Sequence, residues 1–187
     1  MWGSNLVKSG LISIVLALSL LTVPKAHGQK IIEDIGHYTQ LGLPIGALGI
    51  SIAKGDREGV IQLAKSVLVE SVVVYGLKNL IDRPRPVSGG LSFPSGHTAI
   101  SFTASTYLYR RYGWEYGVPA TALAAFVGYS RFAPDEPRHY FSDVVAGAAI
   151  GILTSWIFTD RLVKDAEINL GYSSLNGSLA FSLKRTF

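Results

Sequence analysis

The chain has 187 residues, of which 48% are hydrophobic and 16% are charged, so it is more apolar than an ordinary soluble domain of this length. It has no cysteine, which excludes a disulfide framework, a thiolate nucleophile and a Cys-ligated zinc site. The formal net charge of +4 is mild, and the basic residues lack aromatic interleaving, so no nucleic-acid partner is expected. These properties favour one domain that associates with a membrane.

The first 28 residues have the order of a secretory signal. Lys8 precedes an apolar stretch at Leu11–Leu21, Pro24 follows it, and the sequence AHG at residues 26–28 is a small-x-small cleavage site. Export is therefore expected. The alternative is that residues 1–28 stay attached as a first membrane helix, although their apolar core is shorter than the roughly 20 residues that a span needs.

Five further apolar segments follow, and each is expected to form a helix because none has the strict alternation of a strand. They are Tyr38–Ala53, Val60–Leu80, Thr98–Tyr109, Val118–Tyr129 and Val144–Phe158. Charged or Gly/Pro-rich connections separate them. We therefore predict an all-α fold, an antiparallel bundle of five to six apolar helices that is membrane-embedded, with its main domain at residues 29–165.

Residues 166–187 are predicted to be a separate C-terminal tail. Asn176-Gly177 lies between two runs, and Ser178–Leu183 alternates polar and apolar residues, which is typical of a β-hairpin. No chemistry is assigned to this tail.

Basic residues at the helix ends predict how the bundle is oriented in a membrane. With antiparallel neighbours, one side carries Lys8, Lys54, Arg57, Arg110, Arg111, Arg161 and Lys164, and the other carries Lys25, Lys30 and two arginine-containing loops. If the loop arginines serve chemistry, the positive-inside rule places the first side in the cytoplasm. The signal-like start predicts the same orientation.

Polar residues that suit a phosphate fall at one end of the predicted bundle. In chain order they are Lys78, the connection Asp82–Pro86, Ser95-Gly96-His97, Ser130-Arg131, and His139 with Asp143. Guanidinium groups bind phosphate oxygens bidentately, and a helix N-terminus offers unpaired N–H groups and a positive dipole end. The cluster therefore predicts a cationic phosphate site.

Two histidines beside this site suggest catalysis as well as binding. His139 and Asp143 are four positions apart, so the carboxylate can reach the imidazole and leave the other ring nitrogen as a nucleophile. His97 is placed to protonate the leaving alkoxide and then to activate water. Five groups would stabilise charge on the transferring phosphoryl group: Lys78, Arg85, Arg131 and the Ser95 and Gly96 amides.

Three patterns resemble the signature motifs of the type 2 phosphatidic acid phosphatase and vanadium haloperoxidase superfamily. They are Lys78-x6-Arg85-Pro86, Pro94-Ser95-Gly96-His97 and Ser130-Arg131…His139-x3-Asp143. The resemblance implies an all-α fold and frequent lipid phosphate substrates. It also implies phosphomonoester hydrolysis through a phosphohistidine, with no metal and no other cofactor.

Carried over position by position, the resemblance implies a catalytic group and a phosphate-binding group. His139 resembles the nucleophile, Asp143 its orienting carboxylate and His97 the acid/base. The phosphate ligands would be Lys78, Arg85, Ser95, Gly96 and Arg131. The seven residues between Arg131 and His139, FAPDEPR, make this spacing longer than the family usually has, so Arg138 is an alternative phosphate ligand.

Three other polar residues have plainer interpretations. Arg83 either contacts the substrate or forms an ion pair with Asp82. His37 is interpreted as a surface residue. Glu70 lies within an apolar segment and is interpreted as a packed, paired or interface-facing carboxylate.

The leading hypothesis is a phosphatase that hydrolyses a lipid phosphate monoester or diphosphate at a bacterial-type inner membrane, with its active site facing the periplasm. A phosphorylated lipid and the membrane are its expected partners, and no oligomeric state is predicted. The first alternative is a soluble periplasmic acid phosphatase acting on small phosphomonoesters. A vanadate-dependent haloperoxidase, and a phosphate-binding or scaffold protein without turnover, are the other two.

Overall fold

The computed structural model describes residues 25–87, 89–162, 164–173 and 178–186. Its helices are α1 Lys25–Ala53, α2 Arg57–Ile81, α3 Gly96–Tyr112, α4 Trp114–Phe132 and α5 Phe141–Phe158. Each contains one of the five predicted segments, so the predicted all-α bundle is confirmed. Two strands follow, β1 Lys164–Ser173 and β2 Ser178–Thr186.

Helix α1 begins well before the predicted position, at Lys25 instead of Tyr38. The added part, residues 25–37, is polar, so a search for apolar runs does not detect it. It nevertheless packs against the end of α4. A Cβ placed on Gly36 would collide with the hydroxyl of Ser130. The proposed cleavage site at residues 26–28 lies in the first turn of α1, and residues 1–24 lie outside the described part, so the signal peptide stays a prediction.

Short connections make successive helices antiparallel neighbours. Between α1 and α2, Gly55 takes a positive φ of 65° and Asp56 caps α2 by accepting a hydrogen bond from the Gly59 amide at 2.9 Å. Between α3 and α4 the connection is Gly113 alone, with φ 94°. The chain therefore places the end of α2 and the starts of α3 and α5 at the same end of the bundle, which we call the motif end.

Helix α3 is the centre of the bundle and packs against α1, α2, α4 and α5. Its contact with α5 is close because two glycines of α5 face its backbone. A Cβ on Gly147 would collide with the carbonyl oxygen of Ser95, and one on Gly151 with that of Ala99. This approach lets the Ser95 amide donate a hydrogen bond to the backbone oxygen of Asp143 at 3.0 Å, which joins the starts of α3 and α5.

The distribution of side chains is that of a helical membrane protein. Many buried positions carry small or hydroxyl-bearing residues: Ser51, Ser66, Ala99, Ser101, Thr103, Ala104, Ser105, Ala124 and Ser155. Large apolar side chains face outward: Ile45, Ile52, Leu68, Val72, Leu80, Leu153 and Ile157. Small residues let helices pack closely in lipid, and an apolar exterior is what lipid contacts. By length and composition, α2 and α5 can each cross a membrane.

A buried ion pair closes the bundle at the opposite end. The carboxylate of Asp56 accepts hydrogen bonds from Arg111 Nη2 at 2.6 Å and Nε at 2.7 Å, and from the Tyr112 hydroxyl at 2.8 Å. Arg111 Nη1 also donates to the backbone oxygen of Asp160 at 3.0 Å. The pair therefore joins the α1–α2 connection to the ends of α3 and α5.

The C-terminal strands β1 and β2 pair antiparallel, from Ser173 opposite Ser178 to Ala166 opposite Arg185. This is the pairing that the alternating sequence pattern predicts. The Asn176-Gly177 dipeptide that was expected to form the turn lies outside the described residues.

Candidate active site

A cavity of about 460 Å³ opens at the motif end. Five of the predicted site residues line it: Lys78, Arg85, Gly96, His97 and His139. The other lining residues are Gln40, Glu70, Ser71, Val74, Tyr75, Leu91 and Ile100. Parts of the chain that are far apart in sequence thus place two cations and two imidazoles around one space.

Lys78 occupies the last turn of α2 and holds the connection that leads into α3. Its Nζ donates to the backbone oxygen of Pro94 at 2.8 Å and lies 3.3 Å from that of Leu91. Arg85 Nε lies 3.4 Å from the same Leu91 oxygen. Both cations are therefore fixed beside the cavity by backbone carbonyls. Lys78 Nζ is also 3.4 Å from the backbone oxygen of Ser92, so three carbonyls match its three N–H groups, whereas Arg85 retains further N–H groups for a ligand.

The start of α3 contributes Gly96 and His97 to the cavity wall, while Ser95 is fully buried behind it. The Ser95 amide donates to Asp143, and its hydroxyl is 2.9 Å from that of Thr98. The structure therefore uses Ser95 to join two helices and does not bring it to the cavity surface.

His97 has a neighbour that sequence reasoning missed. His37 Nδ1, on α1, lies 3.3 Å from His97 Nε2, and the two ring centroids are 5.5 Å apart. His37 is exposed, as the sequence suggested, but it contacts the predicted acid/base. No local pattern reveals this contact, because the two residues are 60 positions apart and meet only when α1 packs against α3.

His139 and Asp143 come together as predicted, but without the expected hydrogen bond. His139 Nδ1 lies 3.6 Å from Asp143 Oδ2 and has no hydrogen-bond partner among the described residues. The carboxylate is occupied by other donors, because Oδ2 accepts from the Ser92 hydroxyl and from the Tyr140 amide at 3.0 Å. Asp143 thus caps the first turn of α5 and faces His139 as a buried negative charge.

Arg83 completes the surroundings of Asp143. Its Nη1 donates to Asp143 Oδ1 and to the Ser142 hydroxyl, each at 2.9 Å, and its guanidinium lies 3.9 Å from the centroid of the Tyr140 ring. The ion pair of Arg83 is therefore with Asp143 and not with Asp82. Arg83 is not among the residues that line the cavity, and its contact with the predicted catalytic residues is with the Asp143 carboxylate.

Arg131 and Arg138, the two candidate phosphate ligands near the end of α4, both bind Glu33 of α1 in this structure. Arg131 Nη2 donates to the backbone oxygen of Glu33 at 2.6 Å, and Arg138 Nε donates to its carboxylate at 2.7 Å. Neither arginine lines the cavity. The cause is the polar first part of α1, which supplies Glu33 and which the sequence analysis did not place in a helix.

The pKa of His139 is lowered to about 4. Burial is the largest cause, and the nearby charges of Lys78 and Arg85 lower it further, while Asp143 acts in the opposite direction. At neutral pH the imidazole is therefore uncharged and keeps the lone pair of one ring nitrogen. Among the residues that the structure describes, no group of three or more His, Asp or Glu side chains is placed to hold a metal ion.

Comparison with known proteins gives consistent results. Residues 87–165 match the family model of the PAP2 superfamily. A lipid A 4'-phosphatase of Helicobacter pylori is 31% identical over 154 residues, which are 76% of this chain and 76% of that protein.

Two solved structures share the fold. The crystal structure of Aquifex aeolicus LpxE superimposes with a TM-score of 0.55 at 29% identity, covering 69% of this chain and 81% of that one. The crystal structure of a transmembrane PAP2-type phosphatidylglycerolphosphate phosphatase from Bacillus subtilis superimposes with a TM-score of 0.57. Its identity is 22%, and the match covers 82% of this chain and 85% of that one.

Proposed function

The chain belongs to the PAP2 superfamily and is a membrane lipid phosphatase, and from this we propose that it hydrolyses its substrate through a phosphohistidine formed on His139. The observation that carries the proposal is the shared cavity, where Lys78, Arg85, His97 and His139 surround one space of about 460 Å³. We propose that the phosphatase domain spans residues 29–165, between a signal peptide or first membrane helix and the C-terminal tail.

In the first step, His139 Nε2 attacks the phosphorus atom and the bond from phosphorus to the lipid oxygen breaks. His97 takes up a proton when the negatively charged phosphate binds beside it, because that charge favours the imidazolium, and it then donates this proton to the leaving oxygen, so the lipid departs as an alcohol. Lys78 and Arg85 stabilise the negative charge on the phosphoryl oxygens during transfer. The negative charge of Asp143, 3.6 Å from His139 Nδ1, stabilises the ring as it becomes positively charged.

In the second step, His97 takes a proton from a water molecule, whose oxygen attacks the phosphorus of phosphohistidine. The bond between phosphorus and nitrogen breaks, inorganic phosphate leaves, and His139 returns to its neutral form. The net reaction consumes one water and yields an alcohol and phosphate, with no redox step.

A phosphorylated lipid of the lipid A type is the substrate that we favour. The exterior of the bundle is apolar, which fits an enzyme whose substrate lies in a bilayer. The similar protein from Helicobacter pylori is named a lipid A 4'-phosphatase, and other relatives at lower identity are named lipid A 1-phosphatases. These names support a substrate in which phosphate is attached to a sugar-based lipid.

The test is phosphate release from a panel of phosphorylated sugar lipids, phosphatidate and water-soluble phosphomonoesters, with and without EDTA. We expect lipid phosphates to be hydrolysed and activity to survive EDTA, because the cavity cations supply the charge that a metal would contribute. His139→Ala should abolish turnover, and rapid quenching of the native enzyme should trap acid-labile, alkali-stable phosphate on His139. Hydrolysis of soluble phosphomonoesters alone would favour the periplasmic acid phosphatase, and full activity of His139→Ala would overturn the mechanism.

We also propose that the motif end faces the periplasm. The support is the signal-like start together with the basic residues at the opposite end, which include Lys54, Arg57, Arg110 and Arg111. Because the chain has no cysteine, single cysteines can be labelled without background.

Gly89→Cys and Glu115→Cys test this orientation, since both positions are exposed and lie at the motif end and the opposite end. An impermeant maleimide should label Gly89→Cys in intact spheroplasts, and Glu115→Cys only after lysis. The reverse result would invert the topology, and labelling of both from outside would mean that the helices do not cross the membrane.

A further inference from the structure

Glu70 is the buried ionisable residue of the cavity that the proposed mechanism does not use. It lies in the middle of α2, it is 2% exposed, and it lines the same cavity as Lys78, His97 and His139. Its position is eight residues before Lys78, which corresponds to about 12 Å along the helix axis. The cavity therefore extends from the cationic motif end down to a carboxyl group inside the bundle.

The protein itself leaves this carboxyl group poorly satisfied. Among the described residues it accepts a hydrogen bond from the Ser71 hydroxyl, which lies 3.3 Å from Oε2. No ion pair to Glu70 is present among the described residues, and the neighbouring lining residues Val74 and Ile100 are apolar. A carboxyl group can accept several hydrogen bonds, so a further donor from a bound molecule would stabilise this buried group.

Two other polar side chains line the same cavity. Ser71 follows Glu70 on α2, and Gln40 lies one helical turn beyond His37 on α1. Together the three side chains, which we call the deep subsite (Gln40, Glu70 and Ser71), offer acceptors and donors on facing helices.

We propose that the deep subsite binds N–H and O–H groups of the lipid that carries the phosphate, and so selects amide- or hydroxyl-bearing sugar lipids over glycerolipids. This inference rests on the proposed phosphatase function. A hexose with an amide-linked acyl chain carries N–H and O–H donors on the ring that bears the phosphate and on the chain attached to it, so these donors would enter the cavity behind the phosphate. Phosphatidate has ester linkages and no donor there.

Selection of this kind has a clear physical basis. A site that is built to hydrogen-bond a substrate group discriminates strongly against an analogue that lacks it, because the buried polar atoms are then left unpaired. Glu70 accepts from the sugar lipid, whereas an ester-linked acyl chain leaves the carboxyl group without a donor. The preference for the sugar lipid over phosphatidate should therefore depend on Glu70. Phosphoryl transfer at His139 should not depend on it.

The experiment compares kcat/KM for a phosphorylated N-acyl glucosamine lipid and for phosphatidate in the same detergent, with native protein, Glu70→Leu and Glu70→Gln. We expect Glu70→Leu to lower kcat/KM for the sugar lipid about tenfold or more and to leave that for phosphatidate within about twofold. Glu70→Gln is isosteric and keeps an acceptor oxygen, so kcat/KM for the sugar lipid should fall less in this variant than in Glu70→Leu. Turnover of phosphatidate shows that each variant is folded. The matched control is Glu58→Gln, which changes an exposed carboxylate in the first turn of α2.

Each other outcome has a definite meaning. Equal losses on both lipids would assign Glu70 a structural role and overturn the subsite, as would unchanged activity of Glu70→Leu. Native protein that hydrolyses phosphatidate but not the sugar lipid would overturn the subsite and leave the phosphatase function standing. Native protein that hydrolyses neither lipid would overturn the phosphatase function and the subsite with it.

Discussion

His37 Nδ1 lies 3.3 Å from His97 Nε2, so the imidazole of the proposed acid/base is held by a second imidazole from α1. One of these two nitrogens must donate and the other accept, so the tautomers of the two rings are linked. A residue on the first helix of the bundle thus orients a group on its central helix.

We expect His37→Ala to lower kcat for the lipid phosphate by up to about tenfold, because the lost hydrogen bond contributes about 1 kcal/mol to holding the His97 ring. His37→Gln, which can still donate or accept at this position, should recover part of the loss. Ile45→Ala is the control, since Ile45 lies on the same helix and is 67% exposed. Steady-state kinetics measure the effect, and an unchanged kcat in His37→Ala would show that the pair has no role in turnover.

Arg83 should act on catalysis through Asp143. Removing its guanidinium leaves the buried Asp143 carboxylate without its ion-pair partner, so we expect Arg83→Ala to lower kcat about 10- to 100-fold with a smaller change in KM. Arg83→Lys should restore part of kcat because the charge is kept. Arg138→Ala is the matched control, since Arg138 pairs with Glu33 instead and does not line the cavity. A rise in KM with unchanged kcat would mean that Arg83 binds substrate directly.

The acid limb of the pH profile of kcat/KM, where activity falls as the pH is lowered, should reflect the lowered pKa of His139. Since this pKa is about 4, the nucleophile stays neutral at neutral pH and loses its lone pair only as the pH falls through about 4. Lys78→Met removes a positive charge that lowers the pKa, so the pKa should rise and the acid limb of kcat/KM should move to higher pH.

The comparison uses one substrate throughout, so that ionisation of its phosphate affects each variant equally. Lys54→Met, at the opposite end of the bundle, should leave the limb where it is in the native enzyme. A limb that stays fixed or moves to lower pH in Lys78→Met would contradict the electrostatic account of His139.

The ion pair between Arg111 and Asp56 should be a main source of stability at the opposite end. Arg111→Met leaves a buried carboxylate without its partner, which costs about 3–5 kcal/mol. Thermal unfolding in detergent should show a lower Tm, with the exposed Arg57→Met as the control. A Tm equal to that of the native protein would show that the pair contributes nothing net.

The same pair predicts how stability depends on pH. Hydrogen bonds from Arg111 are the main reason why the pKa of Asp56 is lowered to about 2. The carboxylate therefore contributes its stability above its unfolded pKa of about 3.9, and this contribution is lost as the pH falls through about 2. In Arg111→Met, the free energy of unfolding should no longer show this loss at acidic pH.

Local sequence patterns were enough to predict the core of each helix and five of the twelve residues that line the cavity. Apolar runs between charged connections indicate helices, and motifs at helix ends place Lys78, Arg85, His97 and His139 together once neighbours run antiparallel. Helix formation and the positions of the motifs depend on the spacing of residues within one segment, so both can be inferred from the sequence of that segment. The polar first part of α1 has no such pattern, so the sequence analysis placed the start of this helix at Tyr38 instead of Lys25.

The partners of the site residues were decided by tertiary packing. Nothing near His37 in the sequence indicates that it contacts His97, and nothing near Glu33 indicates that it binds Arg131 and Arg138. The expected hydrogen bond from His139 to Asp143 is replaced by a contact of 3.6 Å, because Arg83, Ser92 and the Tyr140 amide occupy the carboxylate. A hydrogen bond is made with whichever group lies within about 3 Å, and only the packing of α1, α3 and α5 determines which groups those are.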